Sequence, residues 1–273
     1  MESAGGPDPA NSMSLGGIEL LDGDGTEEVA NSLALLDMAH VVSSKAIYDH
    51  VVSAFPLAVG KAASKKERED LSLKATTLVY GEISFEAFGV IIEKIKKIYG
   101  RPDVGASGES GVLQNRGGLF YDLGHGTGKA VVAAAILHNF DQCIGFEILE
   151  SLFSLSLDMQ AAYNTRGKPK LTDREFDTFC TFLHADFLDI KAKDWRDGDI
   201  VFANSTCYDD ELMTKISLLA AGMKKGSFFV SFTKRLPIND FVVLEHTMER
   251  MSWGEATIYI HQKVTDPRTL ATY

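Results

Sequence analysis

The chain has 273 residues, of which 45% are hydrophobic and 24% are charged, and its formal net charge is −11. This composition is that of an ordinary globular protein. The acidic balance argues against a protein that binds nucleic acid mainly through phosphate contacts, whereas it is compatible with a basic protein partner. The longest apolar run, "AVVAAAIL", is too short to span a bilayer, and three widely spaced cysteines predict neither a disulfide framework nor a zinc site, so we expect no membrane association and no metal.

The first quarter of the chain divides into two parts by composition. Residues 1–26 are rich in glycine, serine, proline and aspartate, which predicts a disordered N-terminus. From residue 27 onwards, apolar residues recur at helical spacing, which predicts an N-terminal helical region over 27–76.

A loop and a helix are predicted next. The tripeptide formed by Tyr80, Gly81 and Glu82 is typical of a loop between structured segments. Ser84 follows it as a candidate N-cap, because its hydroxyl can accept a hydrogen bond from a free amide of the first helical turn. The apolar spacing then predicts a helix over 85–99.

The pattern changes after a stretch of loop composition over 101–117, which we expect to be a flexible insert. Predicted strands alternate with predicted helices from "LFYDLG" and "GKAVVAAAILHN" through "QCIGFEI" to "GSFFVSFT". The segment "INDFVVLEHTMERM" is of mixed character, and "ATIYIHQKV" is predicted to be a closing strand. Such alternation predicts an α/β fold with a mostly parallel sheet and helices on both faces.

Polar residues and glycines follow the predicted strands at the points where they end. In an open parallel sheet, ligands bind at the carboxyl ends of the strands. The residues at these ends, in strand order, are Asp122 with Gly124 and Gly126, then Glu147, then Asp186 with Phe187, and finally Asn204. The strand ends therefore predict a single ligand site.

The residue types at these ends favour S-adenosylmethionine over a dinucleotide. Glycines let backbone amides approach a ligand closely, but the dinucleotide fingerprint needs a third glycine where Lys129 stands. Asp122 would repel a pyrophosphate and attract a cationic amino group. Glu147 can accept bonds from ribose hydroxyls, and Asp186 with Phe187 can hold an adenine. A nicotinamide dehydrogenase is accordingly the poorest match.

Six separated motifs resemble the Dot-type (disruptor of telomeric silencing) histone lysine methyltransferases. They occur in the family's order from about residue 77 to the C-terminus: "VYGEISF", "FYDLGHGTGK", "GFEI", "ADFLD", "VFANSTCYDDELM" and "MSWGEATIYIH". The "YGE" motif is the most specific, because most Rossmann-like methyltransferases lack it. The short, acidic form of the chain looks like the compact protist-type members.

The resemblance implies a class I, Rossmann-like methyltransferase with a mostly parallel seven-stranded sheet and a catalytic domain over 77–273. It implies methyl transfer from S-adenosylmethionine to a lysine in the folded core of histone three, within the nucleosome and hence in the nucleus. Carried over by motif, the site residues would serve the methionine end (Tyr80, Gly81, Glu82, Asp122, Gly124 and Gly126), the ribose (Glu147) and the adenine (Asp186 and Phe187). Asn204 would stand beside the sulfonium, and Trp253 and Tyr259 would line the lysine channel.

Some positions depart from the family pattern. Ile83 stands where other members commonly have a hydroxyl residue, and Lys129 stands where they often have glutamine. Larger members carry a basic extension that binds DNA, and nothing in this sequence replaces it. The net charge of −11 implies that any contact with DNA is weak or indirect. Two alternatives stay open: an amino-methyltransferase acting on a nucleic-acid base or a non-histone protein, and a cofactor-binding module without activity. His125 and Lys129 have no role assigned by the sequence.

Overall fold

The computed structural model describes residues 35–72, 78–101, 111–171, 177–251 and 254–268, with only the backbone of Arg250. The disordered N-terminus predicted over 1–26, most of the insert predicted over 101–117, and Trp253 lie outside the described residues. None of the helices within these ranges is long and apolar enough to cross a membrane.

Within the described residues, three α-helices precede the sheet: α1 (Met38–Val52), α2 (Leu57–Asp70) and α3 (Phe85–Lys94). The predicted N-cap of α3 is confirmed, since the Ser84 hydroxyl accepts a hydrogen bond from the amide of Ala87 at 3.1 Å. The helix continues into a π-helical turn over Ile95–Tyr99, so the helix predicted over 85–99 is confirmed with a wider last turn.

Seven strands form one sheet in the order β3-β2-β1-β4-β5-β7-β6. Strands β1 to β5 are parallel, whereas β7 is antiparallel to both β5 and β6, which confirms the predicted α/β fold with a mostly parallel sheet. Their bounds are β1 Leu119–Leu123, β2 Gln142–Glu147, β3 Phe179–His184, β4 Ile200–Ala203, β5 Phe228–Phe232, β6 Phe241–Met251 and β7 Gly254–Lys263.

The remaining helices cover the two faces of the sheet. Helices α4 (Lys129–Leu137) and α5 (Glu150–Ala162) share one apolar core with α1 and α3, while α6 (Asp210–Ala220) packs on the opposite face. The N-terminal helices therefore complete the main core instead of forming a separate layer.

The segment "INDFVVLEHTMERM", which is predicted from the sequence to be of mixed character, is a strand from Phe241 onwards and contains no helix. It pairs with β7 from Phe241 opposite Lys263 to Met251 opposite Gly254, with a bulge near Glu245. The carboxylate of Glu245 accepts hydrogen bonds from Lys94 and Tyr99. Long-range pairing thus overrides the ambiguous local pattern.

Helix α3 docks on the sheet through Phe88. Its ring meets the rings of Phe120 and Phe202 edge-on, with centroid distances of 5.8 and 5.3 Å, and the side chain is 1% exposed. Such edge-to-face contacts add to the burial of apolar area. Because α3 follows the loop at residues 80–82 directly, this packing also fixes where that loop can reach the sheet.

We predict that Phe88→Ala lowers the free energy of unfolding by about 3–5 kcal/mol, because it removes buried area and leaves a cavity between α3 and the sheet. Urea unfolding monitored by circular dichroism measures the change. Val42→Ala on α1, where the side chain is 65% exposed, is the control and should stay within about 0.5 kcal/mol of the wild type. A Phe88 variant as stable as the Val42 variant would contradict this docking.

Candidate active site

A cleft opens at the carboxyl edge of the sheet and has two adjoining lobes. The smaller lobe is lined by Glu82, Asp122 and Lys129, and the larger lobe by Glu147 and a series of apolar side chains. Every residue that the sequence predicts to bind the cofactor lines one lobe or both, and Asn204 lines both: Tyr80, Gly81, Glu82, Asp122, Gly124, Gly126, Glu147, Asp186 and Phe187. The parallel topology has brought the ends of four strands together, as the sequence predicts.

The glycine turn after β1 forms the floor between the lobes. Gly124, Gly126 and Gly128 have φ values of 95°, 57° and 89°, a region that other residues rarely adopt. A Cβ on Gly126 would lie 2.3 Å from the ring of Tyr80. Glycine is therefore required here both by the backbone conformation and by the close approach of the loop above.

Asp122 is the most unusual group in the cleft. Its side chain is 2% exposed, and within the described part of the chain its Oδ1 atom has no hydrogen-bond partner. Burial, with a smaller contribution from the charge of Glu147, raises the pKa of Asp122 well above its usual value. A buried carboxylate in this state fits a cationic amino group in the smaller lobe, because such a ligand would supply the missing partner.

Two carboxylates hold four consecutive backbone amides at the start of α5. Glu147 accepts hydrogen bonds from the amides of Ile148 and Leu149, each at 2.9 Å, and Glu67 of α2 accepts from those of Glu150 and Ser151 at 2.9 and 2.8 Å. These bonds satisfy amides that the helix leaves free, and the negative charges suit the helix N-terminus. No pattern in the sequence predicts this role of Glu67.

Glu147 also fixes the glycine turn, because its Oε2 atom accepts a hydrogen bond from the amide of Gly126 at 2.9 Å. Burial raises the pKa of Glu147, and the bonds from the amides of Leu149, Gly126 and Ile148 oppose that increase. The same carboxylate lines the larger lobe, so one side chain joins two strand ends and faces the ligand space.

The far end of the larger lobe is aromatic and apolar. The ring of Phe187 stacks on that of Tyr208 at a centroid distance of 6.0 Å, and the Tyr208 hydroxyl donates to the carbonyl of Leu123 at 2.7 Å. Asp186 is exposed, and its Oδ1 atom accepts from the amide of Leu188 at 2.8 Å. Asp186 therefore closes the turn after β3 and also lines the larger lobe, and a carboxylate with one oxygen engaged in this way can accept further hydrogen bonds.

The loop formed by Tyr80, Gly81 and Glu82 covers the smaller lobe. The Tyr80 hydroxyl donates to Glu82 at 2.5 Å and lies 2.7 Å from the hydroxyl of Thr127. Burial and the Glu82 charge raise the pKa of Tyr80, so its hydroxyl stays protonated. The carbonyl of Gly81 accepts a hydrogen bond from Nδ2 of Asn204 at 3.1 Å.

Both residues that the sequence leaves without a role have one in the structure. The ammonium of Lys129 binds both carboxylate oxygens of Glu82, at 2.8 and 2.7 Å. His125 is buried beneath the turn, donates from Nδ1 to the carbonyl of Gly126 at 2.8 Å, and meets the ring of Phe182 edge-on. Burial lowers the pKa of His125 to about 3, so the imidazole is a neutral packing group.

The sequence predicts two residues, Trp253 and Tyr259, to line the lysine channel. Trp253 lies outside the described residues, and Tyr259 lines a separate groove with Thr233 and Lys234. Side chains alternate along β7, so that Ile258 and Ile260 face the α3 and α4 core and Tyr259 faces the other side. Its ring stacks against that of His246 at 5.9 Å. The structure thus does not bring Tyr259 to the lobes of the cleft.

The cleft combines an anionic pocket, a glycine turn, a carboxylate at the second strand end and an aromatic wall. This arrangement suits a ligand with an amino-acid end, a ribose and an adenine, which is the chemistry of S-adenosylmethionine. Among the described residues, no group of three or more histidine, cysteine, aspartate or glutamate side chains is arranged to hold a metal ion.

Comparison with solved structures gives several similar folds. TrmN from Thermus thermophilus is 15% identical over 55% of this chain and only 45% of that chain, with a TM-score of 0.44. The rRNA methyltransferase aviRa from Streptomyces viridochromogenes is 12% identical over 71% of this chain and 92% of that chain, with a TM-score of 0.45. A variant of MtNAS in complex with S-adenosylmethionine is 11% identical over 76% of this chain and 74% of that chain, also with a TM-score of 0.45.

Comparison of sequences gives a family. No curated protein sequence matches the chain. The model of the family described as histone methylation protein DOT1 matches residues 110–258, which is more than half of the chain and includes the glycine turn and all the strand ends that line the cleft. The fold is accordingly that of a class I S-adenosylmethionine-dependent methyltransferase, and S-adenosylmethionine is the cofactor. The chain belongs to the DOT1 family of histone methylation proteins.

Proposed function

We propose that this methyltransferase acts on a lysine in the folded core of histone three, within the nucleosome. The observation that carries the proposal is the family match over residues 110–258, because it includes all the strand ends that line the cleft and Asn204, which lines both lobes. Protein substrates also agree with a net charge of −11, which favours a basic protein over naked nucleic acid.

In the proposed assignment, the two lobes divide the cofactor between them. Asp122, with the turn at Gly124 and Gly126, would hold the cationic amino group, and the loop from Tyr80 to Glu82 would close over it. Glu147 would accept from the ribose hydroxyls, and Asp186 with Phe187 would hold the adenine. S-adenosylmethionine supplies a methyl group on a sulfonium, so the protein has to align an amine rather than activate a leaving group.

Asn204 is the residue we propose for positioning the lysine amine. The Nδ2 atom of Asn204 donates a hydrogen bond to the carbonyl of Gly81, and this contact orients the side chain so that Oδ1 can act as an acceptor. The hydroxyl of Thr206 donates to Oδ1 over a long distance of 3.4 Å. An amide cannot serve as a base, so the amine must arrive without its proton. Desolvation between apolar walls lowers the pKa of a lysine and favours that form. We keep Trp253 as a proposed wall of the channel and do not include Tyr259.

The wider setting follows from the same family. We propose a nuclear location, a catalytic domain over 77–273 preceded by a helical region over 27–76, and nucleosome binding in which contact with DNA is weak or indirect. The alternatives are an amino-methyltransferase acting on a nucleic-acid base or a non-histone protein, and an inactive cofactor-binding module.

Methyl transfer from radiolabelled S-adenosylmethionine separates these possibilities. Nucleosomes, free core histones, DNA and RNA are offered side by side, and labelled protein is digested and analysed by mass spectrometry. We expect label on one lysine of histone three, with nucleosomes preferred over free histones. Label in nucleic acid, or preference for free histones, would contradict the proposal.

Removing the charge of Asp122 should separate stability from function. We predict that Asp122→Asn raises the melting temperature of the free protein at neutral pH and weakens binding of S-adenosylmethionine about 10- to 100-fold, the effect of losing a charge-assisted hydrogen bond. Burial raises the pKa of Asp122 in the folded protein above its value of about 4 in the unfolded chain. Above pH 4 the unfolded chain therefore releases this proton more readily than the folded protein, and the wild type loses stability. The gain in melting temperature should therefore grow as the pH rises from about 4 and vanish below it.

Scanning calorimetry across this pH range and titration calorimetry with the cofactor measure the two effects of the Asp122 substitution. Glu255→Gln, at an exposed position on β7, is the matched control for the loss of one carboxylate. A less stable Asp122 variant, or one with unchanged affinity, would count against the proposed contact.

Removing the side chain of Asn204 should affect turnover more than cofactor binding. We predict that Asn204→Ala lowers kcat by about 100-fold or more, because the amine loses the group that orients it. The dissociation constant of the cofactor should change by less than about 5-fold, since the loop keeps its contacts at Tyr80 and Glu82.

Single-turnover kinetics and titration calorimetry test the Asn204 substitution, with Asn115→Ala in an exposed loop as the control. Loss of cofactor binding together with an unchanged single-turnover rate would show that Asn204 serves the loop instead of the amine.

A further inference from the structure

Glu82 and Lys129 form an ion pair inside the cleft that the sequence does not predict. The ammonium of Lys129 lies 2.8 and 2.7 Å from the two carboxylate oxygens of Glu82. The side chain of Lys129 is only 13% exposed, and that of Glu82 is 15% exposed. Because water screens such a pair poorly, it holds its two backbone segments together more firmly than a surface pair does.

The two partners come from segments that are not joined by pairing of regular secondary structure. Glu82 stands in a stretch without helix or strand between residues 79 and 84, and Lys129 is the first residue of α4, directly after the glycine turn. A loop of this kind has no ladder of backbone bonds to fix its position. Side-chain contacts therefore decide how it lies over the turn.

Lysine is an unfavourable choice for the first position of a helix. Its positive charge adds to the positive end of the helix dipole, and the N-terminus of α4 has no side-chain cap to offset this. A residue that breaks a local rule in this way is expected to gain from a contact elsewhere. The contact that the structure provides for Lys129 is Glu82.

The ion pair also belongs to a short polar chain. The Tyr80 hydroxyl donates to the same Glu82 carboxylate and lies 2.7 Å from the hydroxyl of Thr127, which precedes Lys129 by two residues. The loop is thus held to the turn at both of its ends, and the carbonyl of Gly81 between them is presented to Asn204. Releasing Glu82 would free the end next to α3.

We propose that Lys129 is a positioning residue: its ion pair with Glu82 holds the loop from Tyr80 to Glu82 closed over the smaller lobe, in the shape that binds S-adenosylmethionine. The proposal rests on the cofactor assignment and not on the identity of the methyl acceptor. Without Lys129, the Glu82 carboxylate is left partly desolvated and regains solvation by moving outwards. The closed loop then becomes a minor population, and the apparent affinity falls in proportion.

Titration calorimetry with S-adenosylhomocysteine tests this on the full chain. We expect Lys129→Met and Lys129→Gln each to weaken binding about 10- to 100-fold. The control is Lys224→Met, which removes a lysine from a pair with Asp199 that is equally short, at 2.8 Å, but more exposed and lies at the opposite edge of the sheet. The control should bind as the wild type does.

The exchanged pair, Lys129→Glu combined with Glu82→Lys, distinguishes loss of the ion pair from a general loss of folded structure. It should bind several-fold more tightly than either single substitution, because the attraction is restored with its sign reversed. In steady-state assays, the Met and Gln variants should raise the KM for S-adenosylmethionine more than they lower kcat. A structural defect would instead lower the active fraction, and with it kcat, at constant KM.

Wild-type affinity in the Lys129→Met variant would overturn the proposal, and so would an exchanged pair that binds no more tightly than the better of its two single variants. Because the ligand is the reaction product and no methyl acceptor is present, the result does not depend on the histone assignment. A wild-type chain that binds S-adenosylhomocysteine but leaves nucleosomes unlabelled would refute the histone proposal alone. A wild-type chain that does not bind it would refute the cofactor assignment, and this inference with it.

Discussion

A carboxylate buried without a partner is costly, and the cleft is built around one. Asp122 ends the central strand β1, is 2% exposed and leaves Oδ1 without a hydrogen bond within the described structure. Water would solvate this group if the turn were open, so its state depends on the close packing of the glycine turn beneath the loop. A bound cation would supply the hydrogen bond that Oδ1 lacks and so offset the cost of burying it. This favours a ligand with a cationic amino group, such as the amino-acid end of S-adenosylmethionine.

The rest of the site keeps that carboxylate in place from two directions. Glu147 ties the glycine turn to the start of α5, and Glu67 completes the set of capped amides from α2. From above, the loop next to α3 is fixed by Lys129 and by packing of Phe88 on the sheet. Residues outside the sheet thus shape the cleft, and the N-terminal helices α1 and α3 share the apolar core next to it.

The sequence predicted well what depends on local pattern and strand order. The glycine turn, the acids at strand ends and the N-cap at Ser84 follow from short-range rules, and parallel topology then gathers them without further information. Contacts between distant segments could not be predicted in this way. The Lys129 pair and the capping by Glu67 depend on how helices dock, and the strand β6 depends on pairing with β7. Tyr259 was assigned from a motif, which does not specify the face of the strand.

The ionisation of Asp122 is the most direct measure of this account. Carbon-13 NMR of labelled carboxylates, with Asp122→Asn used to assign the signal, follows the pKa in the free protein and in its complex with S-adenosylmethionine. We expect the pKa of Asp122 to lie above the ordinary aspartate value in the free protein and to fall once the cationic amino group is bound. An ordinary pKa in the free protein, or one that the cofactor leaves unchanged, would contradict this expectation.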